Sequence, residues 1–158
     1  GVSSVLPALI AVAYISMAFG NPYDEEYRRD EVIEWADKIA SLGIQIISLA
    51  DTVGQAQSKD INYLFSELVP GYPSVEFGAH FHSEPAHWQI KIEEAYKAGC
   101  LRFDGAFYGV GGCPVAGNDL VGNIATEHLI QFFSGKEPMN LDLKEVQKSM
   151  NLARSIYA

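Results

Sequence analysis

The sequence predicts an α/β fold built on a parallel sheet. Three observations carry that reading. Four short apolar runs alternate with amphipathic stretches of helical period, at about 30 residues per unit, the size of a βα repeat. Glycines stand where helices should stop, at Gly43, Gly71 and Gly99. The runs themselves are continuously apolar, as strands covered on both faces are. With 158 residues, 48% of them hydrophobic, the chain is long enough for one domain with a sizeable core.

The first element lies in VLPALIAVAYISMAF, residues 5 to 19, within a stretch that carries no charge before Asp24. No basic residues precede it, so it does not read as a secretory signal. Pro7 and the serines around it argue against a membrane span, so it reads as a buried strand from Val12 to Phe19. Asp30 to Leu42 places Val32, Ile33, Ala36, Ile39 and Ala40 on one helical face. Ile44 to Ala50 is the second strand, and a helix follows from Ser58, its expected cap, with Ile61, Leu64, Phe65 and Leu68 inward. Val75 to Phe81 is the third strand, Pro85 to Ala98 the third helix, and Leu101 to Tyr108 the fourth strand. A glycine-rich loop, a helix near Ile124 to Phe133 and a last amphipathic helix over 142–157 complete the chain. Two architectures fit: an open doubly wound sheet, or half of a (β/α)₈ barrel.

Composition excludes several functions. Eleven basic against twenty acidic residues, net charge −9, give no clustered positive surface for a nucleic acid. Two cysteines cannot frame a disulfide scaffold and read as thiols in a reducing compartment.

Active sites of parallel α/β folds form beyond the C-terminal ends of the strands, so the polar residues there are the candidates. His80 and His82 are one residue apart on a strand, so their imidazoles share a face and can meet one divalent cation. A hydrogen-bonded pair lining a pocket is the alternative. Cys113 sits among Gly109, Gly111, Gly112, Gly117 and Gly122, on a loop able to close over a substrate. Its thiol suits a nucleophile or a proton donor, and the alternative is a small apolar filler, the role that fits Cys100 better. Asp51 closes the apolar strand of ISLADTVG and needs a partner there, whether a metal, a cation or a substrate hydroxyl; a turn or cap residue is the alternative. Asn123 opens a helix, as a cap or as an oxygen donor to a hard cation.

Together GAHFHS, GVGGCPVAGNDLVGNIATE, ISLADTVG and YISMAFGNPY resemble the C-terminal half of hydroxymethylglutaryl-CoA lyase, a DRE-TIM metallolyase, in order and spacing from Val12 to Leu129. The related Claisen-condensing synthases are similar at the histidines and the late Asn but carry a different loop. The resemblance implies strands 5–8 of a (β/α)₈ barrel, with residues 1–158 forming one partial domain. It implies a divalent cation, magnesium or manganese with zinc also open, on His80, His82 and Asn123. It makes Cys113 the catalytic thiol and Asp51 and His80 active-site groups. Ser16, Thr52 and Asp104 follow as substrate-side residues.

The implied reaction is cleavage of hydroxymethylglutaryl-CoA to acetyl-CoA and acetoacetate, a step of leucine degradation and ketone-body formation. The implied partner is an acyl-CoA, without nucleic acid or membrane. The expected compartment is bacterial cytoplasm, or a mitochondrial matrix or peroxisome in a eukaryote. The family's first-strand Arg-Asp pair has no counterpart, and neither do strands one to four. The chain is therefore expected to be part of a longer protein and to pair with the N-terminal half of its own barrel. Self-association of two halves and a noncatalytic half-barrel binding module are the other expectations.

Overall fold

The computed structural model describes residues 10–112 and 121–157. Its sheet has four strands in the order β1 (Val12–Ile15), β2 (Ile46–Asp51), β3 (Glu76–Phe81) and β4 (Arg102–Phe103), every pair parallel. The helices α1 (Arg29–Ser41), α2 (Ser58–Gly71) and α3 (Trp88–Lys97) make the crossovers. After β4 come a single 3₁₀ turn (Phe107–Gly109), α4 (Thr126–Phe133) and α5 (Leu143–Tyr157). Strand order equal to chain order decides between the two architectures. A doubly wound sheet reverses direction at a switch point, and this one does not. The winding is that of a barrel.

Strand parity divides the sheet into two faces. Ile15, Ile47, Leu49, Phe77, Ala79 and Phe81 face the helices and are buried with Val32, Ala36, Ile61, Leu64, Phe65, Leu68, Ile92 and Ala95 in one core. Tyr14, Ser48 and His80 alternate with them and line the opposite, concave face. Tyr14 is 49% exposed there.

Several expected boundaries shift for local reasons. β1 ends at Ile15 instead of Phe19, because Met17 adopts φ 57°, a left-handed turn pinned by its N–H to Thr52 Oγ1 at 2.8 Å. Ser58 begins α2 without a side-chain cap, and Pro70 sits inside that helix's last turn. β4 is only two residues long. Past Phe103 the chain leaves the ladder, Asp104 N–H still donating to Ala79 O at 3.1 Å, and enters the 3₁₀ turn. α4 starts at Thr126 with Ala125 at its cap, so Asn123 is not the cap residue. Among the described residues no helix is long and apolar enough to cross a membrane.

Cys100 takes the filler role. It is fully buried, its Sγ lying 3.2 Å from Arg102 O and 3.6 Å from Phe77 O, and burial pushes the thiol up to about 12. A raised pKa means that the Cys100 contribution to stability is whole below the ordinary thiol range and declines as pH climbs toward about 12. Iodoacetamide at pH 8.5 should leave Cys100 unmodified in the native chain and label it in denaturant, as read by peptide mass mapping.

Candidate active site

The C-terminal end of β3 presents His80 and then His82 on the concave side. Their ring centroids lie 5.3 Å apart and near perpendicular. That spacing fits two imidazoles converging on one ion about 2.0–2.2 Å from each donor atom. His82 Nδ1 lies 2.9 Å from Val121 O. A carbonyl only accepts, so Nδ1 carries the proton and Nε2 keeps the lone pair. Burial, then the neighbouring His82, lower the His80 pKa below its ordinary value, which favours the neutral imidazole a cation requires.

Asn123 joins them through an antiparallel bridge to His82. Its Nδ2 donates to Val110 O at 2.9 Å, which fixes the amide. Two buried polar atoms here have no hydrogen-bond partner among the described residues, His80 Nδ1 and Asn123 Oδ1. Unpaired buried acceptors are costly, and a shared cation would offset that cost. With Nε2 of His82 they form a mixed nitrogen and oxygen donor set, so the residues present fit a divalent ion. Among the described residues no three His, Cys, Asp or Glu side chains cluster to hold a metal.

Glycines make the approach of Asn123 possible. A Cβ on Gly109 would lie 2.7 Å from Asn123 O, and one on Gly122 would lie 2.7 Å from Gly109 O. Backbone sits at both contacts and cannot yield as a side chain would. Gly122→Ala should therefore cost about 1–3 kcal/mol in a urea denaturation series and weaken cation binding, by forcing apart the stems that carry Asn123. The loop between those stems holds Cys113, which lies outside the described residues.

Asp104, expected on the substrate side, is the centre of a polar cluster on the concave face. Its Oδ2 accepts from Tyr14 OH at 2.9 Å and from Ser48 Oγ at 3.4 Å, and lies 3.9 Å from His80 Nδ1. It thus links residues from β1, β2 and β3. Tyr14 and Ser48 were not among the sequence candidates, yet strand parity places both on the face of His80. Ser16 is exposed just past β1. Thr52 is committed to the Met17 turn, so its hydroxyl supports backbone in place of facing a ligand.

Asp51 has the cation partner its burial calls for but lies away from the histidines. It pairs in register with Phe81, while Ala50 pairs with His80, so its carboxylate faces the helices and not the two imidazoles. It is 1% exposed and bound to Lys91 Nζ at 2.6 Å, with Ala56 N–H donating to it at 3.0 Å. Burial pushes its carboxyl upward and the Lys91 ammonium opposes that. The cation that offsets its burial is thus a lysine. A cleft of about 440 Å³ opens on this helix side of the rim, lined by Gln57, Ser58, His87 and Lys91 among others. Neither His80 nor Asn123 borders it, so the donor set and not the cleft marks the chemistry.

A family model described as HMGL-like matches residues 6–154. The chain belongs to the HMGL-like family. It is 32% identical over 118 residues to a hydroxymethylglutaryl-CoA lyase of Bacillus subtilis, covering 75% of this chain and 39% of that protein. It is 34% identical over 130 residues to an (R)-citramalyl-CoA lyase of Chloroflexus aurantiacus, covering 82% of this chain and 41% of that protein. The crystal structure of the HMG-CoA lyase from Bacillus subtilis superposes with a TM-score of 0.81 at 27% identity, over 91% of this chain and 48% of that one. An HMG-CoA lyase from Acinetobacter baumannii, in complex with coenzyme A and 3-methylmalate, gives 0.74 at 30% identity, over 84% of this chain and 44% of that one. The HMGL-like chain thus spans about two fifths of the length of the curated relatives it matches. Its four strands correspond to part of the barrel of these structural neighbours.

Proposed function

We propose that the chain supplies the metal-binding and acid–base half of a carbon–carbon lyase acting on a short 3-hydroxyacyl-CoA, with 3-hydroxy-3-methylglutaryl-CoA as the substrate. The observation that supports this reading is the proximity of His80, His82 and Asn123, with His80 Nδ1 and Asn123 Oδ1 buried and without a partner among the described residues. His80 Nδ1, His82 Nε2 and Asn123 Oδ1 would hold a magnesium or manganese ion. When bound, such an ion supplies Lewis-acid stabilisation of the substrate's alkoxide and carboxylate oxygens.

The chain's own residues do the rest. Asp104, held by Tyr14 and Ser48, keeps a negative charge 3.9 Å from His80 Nδ1, which favours a cation beside that nitrogen. Loss of the substrate's tertiary hydroxyl proton to a base starts the cleavage. The carbon–carbon bond then breaks, one fragment leaving as acetoacetate and the electron pair passing into the thioester enolate. The Cys113 thiol gives its proton to that carbanion, producing acetyl-CoA. Acyl-CoA binding is supported by the coenzyme A complex of the Acinetobacter baumannii relative. Among the described residues no strand pairs with the outer edge of β1 or β4, which suits the complementary four strands of a barrel as partner; a second copy of the chain is the other reading.

Acetoacetate release tests the reading. The chain joined to a complementary barrel half, given manganese and 3-hydroxy-3-methylglutaryl-CoA, should form acetoacetate and acetyl-CoA in equal amounts. Citramalyl-CoA is the competing substrate to assay beside it, given the Chloroflexus relative. Product only in the condensing direction would favour a Claisen-type synthase. No turnover together with no metal uptake would favour a noncatalytic binding module.

A further inference from the structure

Lys91 is the buried charge that the proposed chemistry does not use. It lies on the inward face of α3, its side chain 7% exposed, and its ammonium makes three short hydrogen bonds. Nζ donates to Asp51 Oδ2 at 2.6 Å, to Gly54 O at 2.8 Å and to His82 O at 2.8 Å. All three ammonium protons are therefore used. Replacing a buried ion pair by apolar side chains is often neutral for stability, so stability alone does not explain a lysine here. Its acceptors do. One is the main chain of His82 itself. Another is Gly54, at φ 73°, over which the Val121 side chain lies so closely that a Cβ would meet it at 3.1 Å. Val121 O in turn takes the His82 Nδ1 proton at 2.9 Å. The contacts close a ring: Lys91 to Gly54, Gly54 to Val121, Val121 to the His82 imidazole, and the His82 carbonyl back to Lys91.

We propose that Lys91 is a positioning residue for His82. It fixes the backbone of that histidine and the shelf beneath Val121, and thereby holds the imidazole in the Nδ1–H tautomer with Nε2 free toward the cation. The purpose of this arrangement rests on the metal reading above; the arrangement itself is tested without metal.

The tautomer of His82 in the full chain is read from its imidazole ¹⁵N shifts, and Mn²⁺ affinity is measured separately by electron paramagnetic resonance. Wild type should show His82 with the proton on Nδ1. Lys91→Met should release that preference and weaken Mn²⁺ binding about 10–100-fold, the effect of losing an outer support of a metal-ligating histidine. If Lys91→Met fails to fold, Asp51→Asn combined with Lys91→Met removes both charges and should show the same two changes. A folded variant that keeps the wild-type tautomer, or keeps the Mn²⁺ affinity of a binding wild type, overturns the proposal and leaves Lys91 a purely structural ion. If wild type binds no Mn²⁺, the metal reading fails, and the tautomer comparison alone decides the role of Lys91.

Discussion

Asp51→Ala should be among the most damaging single substitutions for stability, costing about 3–5 kcal/mol in urea denaturation. The removed carboxylate is 1% exposed and is the charged partner of Lys91 at 2.6 Å. Without it an ammonium stays buried against two carbonyl oxygens that cannot neutralise it. Domains have only about 5–15 kcal/mol to lose, so the variant should sit near its unfolding threshold. Combining Asp51→Ala with Lys91→Met should restore much of the loss, because no unpaired charge then remains. A loss below about 1 kcal/mol for the single variant would show that the pair is worth no more than an exposed ion pair.

Cys113→Ala should lower kcat by about 10²–10⁴-fold, the usual worth of a positioned proton donor, with KM little changed. Cys113→Ser should recover little, since an alcohol is a far weaker acid than a thiol. The measurement is acetoacetate formation by the chain joined to a complementary barrel half, at saturating 3-hydroxy-3-methylglutaryl-CoA and Mn²⁺. Nearly full turnover by Cys113→Ala would remove the thiol from the mechanism and leave the protonation to another group.

Much of the fold was legible in the alternation of apolar runs and helical stripes, since β2, β3 and the crossover helices bury the pattern that announces them. Periodicity could not choose between the two windings. That choice lies in strand order, a relation between strands distant in sequence. The His80 and His82 pair was legible because period two fixes a shared face. The need of Asp51 for a cation was legible from its burial, but its side of the sheet was not, because that depends on register between strands: its partner is Phe81, not His80. A signal for its true partner was present. Trp88, Lys91, Ile92 and Ala95 stand at i, i+3, i+4 and i+7, so a lysine occupies the inward stripe of α3 and must find a buried counter-charge. The same parity argument, run from Ser16 back to Tyr14, would have found the phenol that donates to Asp104. The place of Asn123 beside the histidines was legible from the family resemblance and not from periodicity. It depends on glycine stems that pass within backbone contact, and its bridge to His82 joins residues 41 positions apart.

Titration of the 158-residue chain with Mn²⁺, followed by electron paramagnetic resonance, tests the shared donor set most directly. Saturable binding of one ion per chain is expected, lost in His80→Ala and in His82→Ala and weakened in Asn123→Ala, with all three variants folded. Binding that survives both histidine substitutions, or a folded wild-type chain that takes up no ion, would contradict it.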